Sequence, residues 1–219
     1  MKLLRSLLKP ISSVAGFTMI ELLIVISILG ILAVAVLSAI NPVEQINRGR
    51  DTGSRSDAEQ LLSAIDRFNA FQGYVPWRTG ANDTILTYNT MAWTALDDWA
   101  SFFDSSGSCA VLEKLSSAAP SGADTCTSHS DELKASFVTR VTATSYNHLF
   151  IYNQGGTGDS TYICFEPQSG AFATEALNKL DTDGSGTIDG SDNIPYDYPA
   201  DAYGNPTDCG SEGICTCLP

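Results

Sequence analysis

Basic side chains are scarce in this chain of 219 residues. Twelve Lys and Arg stand against 25 Asp and Glu, with two His, for a formal net charge of −13. That balance excludes binding of a phosphate backbone by bulk charge, so no nucleic-acid partner is expected. Histidine is scarcer still, and His129 and His148 have no nucleophile or metal ligand beside them in sequence. No H-E-x-x-H, no serine elbow with its His and Asp, and no nucleotide fingerprint occurs. The glycines at Gly155, Gly156 and Gly158 are not followed by Gly-Lys-Ser/Thr, so they read as a hairpin turn rather than a phosphate loop. No catalytic site is read, and the chain is expected not to be an enzyme.

Charge is absent where apolar residues are densest. From Phe17 to Ile40 the only charged side chain is Glu21. As a helix this run spans about 36 Å, enough to cross a hydrocarbon core of about 30 Å with some tilt. Residues 1–16 hold Lys2, Arg5 and Lys9 and no acid, the charge pattern of a cytoplasmic N-terminus. Arg48, Arg50 and Arg55 follow the run among Glu44, Asp51 and Asp57, so charge alone does not decide the topology. The run is also too long for an ordinary signal h-region.

The small-residue site Ala15-Gly16 lies before the apolar run and is followed at once by Phe17-Thr18-Met19-Ile20-Glu21-Leu22-Leu23-Ile24-Val25. In this segment the chain resembles the type IV pilins and the type II secretion pseudopilins, over roughly residues 1–75. The resemblance implies a prepilin leader, residues 1–16, cut after Gly16 by a prepilin peptidase that also methylates the new N-terminal Phe17. It implies residues 17–40 as membrane anchor and then filament core, 41–73 as an amphipathic continuation, and 74–219 as an extracytoplasmic domain. The fold expected is α+β and pilin-like, a long helix packed on a small antiparallel sheet with an irregular C-terminal region. Partners implied are identical or homologous pilin subunits, the prepilin peptidase/methyltransferase and the inner-membrane assembly machinery. The chain is expected in the cytoplasmic membrane, N-terminus inside, before assembly, and in a cell-surface or periplasmic filament afterwards.

A carboxylate at bilayer depth costs on the order of 2.5 to 3.5 kcal/mol on the insertion scale, so Glu21 calls for a partner. Cleavage after Gly16 creates one, the α-amine of Phe17, four residues away on the same helical face or on a neighbouring subunit. The resemblance assigns Glu21 this assembly role; the plain alternative is a side chain that snorkels to the interface.

Beyond the membrane segment, Pro42 is expected to bend a continuing helix. Ala58, Leu61, Leu62, Ile65 and Phe68 recur at helical spacing, and Gly73 with Pro76 ends the pattern. Gly49 and Gly53 form a small-xxx-small pair, read either as close packing or as local flexibility. A short helix is expected over 91–103, with Trp93, Leu96, Trp99 and Phe103 on one side. Trp77, Trp93 and Trp99 make either a packed core or an adhesive patch. Strands are expected at 136–143, 148–152 and 161–165, giving a three-stranded meander.

All six cysteines, Cys109, Cys126, Cys164, Cys209, Cys215 and Cys217, follow the apolar run. In an oxidising compartment they read as disulfides, with Cys109–Cys126 closing a loop and Cys164 pinning the tail through one of the last three. Thiolate metal ligation by Cys209, Cys215 and Cys217 is the minor reading, since paired C-x-x-C sets are absent.

The acidic segment 181–192 offers Asp181, Asp183, Ser185, Thr187, Asp189 and Asp192 at the first, third, fifth, seventh, ninth and twelfth positions of an EF-hand-like loop. Gly186 falls at the sharp turn and Ile188 points to the core. Hard Ca²⁺ takes six to eight oxygens, which these side chains and the Thr187 carbonyl supply, so structural Ca²⁺ is the expected cofactor. The loop resembles a single dockerin-like half-site, and a calcium-free acidic turn is the alternative. The functional expectation is a structural subunit of a type IV pilus-like filament. The alternatives are a type II secretion pseudopilin and a membrane-anchored, calcium-dependent binding module that never polymerises.

Overall fold

The computed structural model describes residues 16–39, 41–83, 109–116, 126, 129–155, 158–189, 191–199 and 213–219, with the backbone alone of 91–95. The chain divides into two compact units, residues 1–42 and 43–219.

In the first unit, α1 runs over Met19–Ala39. Its large apolar side chains, among them Leu22, Ile24, Val25, Leu29 and Leu32, are all exposed. The helix rises about 32 Å. By length and composition, Met19–Ser38 is able to cross a membrane.

The second unit is organised by α2, Pro42–Gln72. Pro42 is its first residue, where the missing N–H has no intrahelical acceptor to lose. It therefore opens a helix instead of bending one, which corrects the expectation of a proline-kinked continuation. One stripe of α2, Ala58, Leu61, Ala64, Ile65 and Phe68, is buried. The helix ends where Gly73 takes φ 75° and its N–H reaches the Asn69 carbonyl at 2.8 Å.

The sheet has four strands in the order β1 (Met91–Ala95), β2 (Leu149–Asn153), β3 (Tyr162–Phe165) and β4 (Thr216–Leu218), every neighbour antiparallel. Gly155 and Gly158, at φ 86° and 92°, lie in the β2–β3 connection, the left-handed conformations a tight reversal requires. Among the described residues the unit has three further helices: α3 (Val111–Lys114), α4 (Ala135–Val141) and α5 (Gly170–Leu180). The segment expected as a first strand, 136–143, is instead α4 and its C-cap, because Phe137, Val138 and Val141 meet the core at helical spacing. The helix expected over 91–103 is replaced over Met91–Ala95 by β1; residues 96–103 lie outside the described ones.

Alternation along the strands separates two cores. Leu149, Ile151, Ile163 and Phe165 join the α2 stripe, Val111, Leu112, Leu115, Trp77 and the α4 side chains in the larger cluster. Tyr162 and Cys164, with Phe150 and Tyr152 against them, face a smaller cluster with Leu180, Tyr198, Cys215 and Cys217. Both faces of β3 are covered, so all four of its residues are buried. Trp77 is fully buried and belongs to the core; the side chain of Trp93 and all of Trp99 lie outside the described residues.

Two disulfides join described residues of the unit. Cys109–Cys126 closes a 17-residue separation and Cys164–Cys217 one of 53 residues, the latter between directly paired positions of β3 and β4. By loop length these contribute about 3 and about 4 kcal/mol. Cys215 is also disulfide-bonded, and Cys209 lies outside the described residues. These bonds remove the reading of the last three cysteines as a thiolate metal site, at least for Cys215 and Cys217.

The second anchor of α2 is polar. Asp51 is fully buried, and its carboxylate accepts from the Gln168 N–H at 2.8 Å, the Ser169 N–H at 2.8 Å and the Ser169 hydroxyl at 2.6 Å. Ser169 in turn N-caps α5, its Oγ accepting from the Phe172 N–H. Two turns earlier on α2, Glu44 accepts from the N–H groups of Gly170 and Ala171 at the free start of α5. Replacing Asp51 with Ala leaves buried donors unmet, so Asp51→Ala is expected to lower stability by about 3 kcal/mol, whereas Thr52→Ala on the exposed side should lie within about 0.5 kcal/mol of the parent. Thermal unfolding of the two variants of the full chain in detergent checks this; equal melting temperatures would remove the anchor role.

Candidate functional site

Two places gather the residues singled out in the sequence, one in each unit. In the first, Gly16 and Phe17 precede α1 in exposed, non-helical backbone, and a Cβ built on Gly16 would meet nothing within 4 Å. Phe17 is 79% exposed. Glu21 is not idle. Its Oε2 accepts from the Thr18 N–H at 3.0 Å and the Thr18 hydroxyl at 2.7 Å, while its own N–H donates to Thr18 Oγ1 at 3.2 Å. Thr18 is thus the N-cap and Glu21 the third helical residue of a reciprocal capping box, and the Leu22 N–H bonds back to the Thr18 carbonyl. The signal was present as Thr-x-x-Glu ahead of an apolar run. Among the described residues Glu21 Oε1 accepts no hydrogen bond, so one oxygen holds the cap and the other is left for a second donor.

In the second unit, α5 delivers the chain into the acidic loop. Asp181 caps the helix at its C-terminus, and its N–H donates to the Leu177 carbonyl. Its side chain then organises the turn that follows: Oδ1 accepts from Gly184 and Ser185 N–H at 2.8 and 3.0 Å, and Oδ2 from Gly186 N–H at 2.7 Å. Gly184 and Gly186 take φ 76° and 81°, which explains glycine at both places. Asp183 Oδ1 accepts from Ser185 N–H at 2.9 Å. From the far end of the loop Asp192 reaches back, Oδ1 accepting from Thr182 N–H at 2.6 Å and Oδ2 from Asp189 N–H at 2.9 Å. Ile188 packs on the smaller core and pins the loop to the sheet.

One carboxylate oxygen each from Asp181, Asp183 and Asp192 lie within 4.8 Å of one another. Three hard anionic oxygens at that spacing suit a divalent cation of the Ca²⁺ or Mg²⁺ kind rather than a soft metal. Asp189 is outside this cluster, its Oδ1 accepting from Ser191 N–H at 2.7 Å. The Ser185 hydroxyl donates to the Thr187 carbonyl at 2.9 Å, so two further expected ligands are paired with each other. The structure therefore brings together three of the six oxygen donors read from the sequence.

The two histidines lie apart from both places. His129 Nδ1 sits 2.9 Å from the Glu113 carbonyl and 3.1 Å from that of Ser116, a position that ties down the end of α3. His148 lies immediately before β2. Sequence reading also missed a polar cluster in which buried Asp57 accepts from Arg140 and from the Tyr146 hydroxyl. Burial first, and then the hydrogen bond to Asp57, push the Tyr146 phenol above its ordinary range.

Comparison with known proteins gives one positive finding. Residues 11–37 match the family model described as the prokaryotic N-terminal methylation motif, which supports a type IV pilin-like leader at this end of the chain. No curated protein and no solved structure matches the chain.

The Asp189 N–H, followed by those of Thr182 and Asp183, holds the Asp192 carboxyl below the usual aspartate range. A depressed native pKa contributes stability that is present above the unfolded value, about 3.9, and lost as pH falls through the native one. In a carboxyl-detected NMR titration without added metal, Asp192 should titrate below about 3.9, and the Thr182 and Asp189 amide signals should move with it. An ordinary midpoint would mean that Asp192 does not close the loop.

Proposed function

We propose that the chain is a non-enzymatic structural subunit of a type IV pilus-like filament, cut after Gly16 and polymerised through α1. The observation that carries this reading is the methylation motif over residues 11–37, placed across the junction between a basic leader and an apolar helix. The exposed apolar side chains of α1 support it, since that surface is suited first to lipid and then to neighbouring copies of the same helix. In the assembled state the free oxygen of Glu21 receives the α-amine of Phe17 from an adjoining subunit, while the other oxygen keeps the Thr18 cap. A type II secretion pseudopilin would use the same processing and helix and would differ in filament length and site.

Cleavage removes Lys2, Arg5 and Lys9 and takes the formal charge from −13 to −16. Mass spectrometry of the protein recovered from sheared filaments should find N-methylated Phe17 as the first residue. A retained leader, or a cut after Ala39, would overturn the reading, and immunogold images of filaments decide between a long surface pilus and a short periplasmic one.

Within that subunit, loop 181–192 holds Ca²⁺ through Asp181, Asp183 and Asp192, with Ser185, the Thr187 carbonyl and Asp189 able to complete the oxygen shell after local rearrangement. The convergence of the three carboxylates supports it. Unscreened, they repel one another, so a bound cation should stabilise the region. Calcium on the order of millimolar should raise the melting temperature of the full chain in detergent. Asp183→Asn should abolish the shift; it is the cleaner variant, because Asp181 also accepts three backbone N–H groups of the turn. No binding by calorimetry at several times that concentration would reduce the loop to an acidic turn.

A further inference from the structure

Helix α2 carries nine charged side chains, and the second unit accounts for seven of them. Glu44 pairs with Arg48, Arg55 with Glu59 and Glu175, and Arg67 with Glu132. Asp51 and Asp57 are buried and hydrogen-bonded. Arg50 and Asp66 remain. Both are exposed, and among the described residues neither has a hydrogen bond or an ion pair.

Their placement is unequal. Arg50 lines an open groove of about 560 Å³ between α2 and the segment 145–148, with Arg140 and His148 on its opposite side. Gly49 and Gly53 also line it, and a Cβ on either would meet nothing within 4 Å. No contact among the described residues therefore calls for these glycines, although each costs about 1 kcal/mol relative to Ala in a helix. Asp66 lies 16 residues further along, about 160° round the helix and about 24 Å along its axis. Glu59 and Asn69, also exposed, share that far side.

We infer that the groove at Arg50 is a docking site for the Asp66 side of α2 in a second copy of this chain. Charge complementarity chooses the occupant: Asp57 in the groove wall already pairs with Arg140, which leaves the Arg50 guanidinium as the charge that meets the unpaired Asp66 carboxylate on the opposite side of the same helix. The glycine floor lets the incoming helix approach closely. Because the two surfaces lie on opposite sides of α2, one twofold contact cannot satisfy both, and the contact is head-to-tail, the kind that propagates into an open assembly. Parallel helices joined in this way are staggered by about 24 Å. The inference rests on the filament reading and adds a contact outside the apolar helix.

The test is a charge exchange in the full chain in cells. Arg50→Glu and Asp66→Lys should each lower filament yield about tenfold, Arg50→Lys should not, and the double variant Arg50→Glu/Asp66→Lys should recover most of the loss. A chain carrying Arg50→Cys and Asp66→Cys should form an intermolecular disulfide ladder within filaments on oxidation, a readout that does not depend on the reversed charges. Normal yield from both reversals, or filaments without a ladder, would overturn the contact and leave the filament reading standing. Failure of the unaltered chain to form filaments would overturn that reading and this contact with it.

Discussion

The arrangement of the second unit depends on one buried carboxylate. Asp51 projects from α2 and accepts three hydrogen bonds from Gln168 and Ser169, the two residues that lead into α5. An uncompensated buried charge would be expensive, and here the cost is offset by two backbone N–H groups and one hydroxyl at the approach to α5. Everything downstream inherits its position from that junction. Helix α5 carries Leu180 into the smaller core, Asp181 closes the helix and opens the acidic loop, and Ile188 returns the loop to the same core.

Apolar burial supplies the bulk of the stabilisation and polar anchoring supplies the orientation. The α2 stripe of Ala58, Leu61, Ala64, Ile65 and Phe68 contributes apolar contact, which is non-directional. Asp51 and Asp57 add direction by holding two different segments, 168–169 and the α4 region through Arg140 and Tyr146. Buried carboxylates with directional partners act as registration marks on a helix whose apolar contacts are non-directional.

Legibility in the sequence followed the locality of the interaction. The α2 stripe, its end at Gly73, the glycine turn between β2 and β3 and the Asp spacing of the acidic loop are all set within a few residues, and all could be read directly. Residues 136–143 were misleading because Val138, Thr139 and Val141 favour strands by propensity, while the decisive fact, the side of α4 that meets the α2 stripe, is tertiary. Strand β4 was invisible for the same reason: three residues acquire strand character only by pairing with β3. In the acidic loop the pattern located Asp181, Asp183 and Asp192 together, but it could not tell that the Asp189 carboxylate turns to the Ser191 N–H. The capping box of Thr18 and Glu21 was local and legible, and was overlooked because membrane depth dominated the reading of that glutamate.

The bridge between Cys164 and Cys217 joins directly opposed residues of β3 and β4. A three-residue edge strand has little of its own to hold it in place. Its attachment is thus a matter of chemistry as much as of pairing, and that chemistry is available only where thiols are oxidised. In a reducing compartment β4 would be held by its pairing with β3 alone, without the covalent latch on the smaller core. Under the proposed filament function, completion of the sheet would serve as a molecular record that this part of the chain has reached an oxidising compartment.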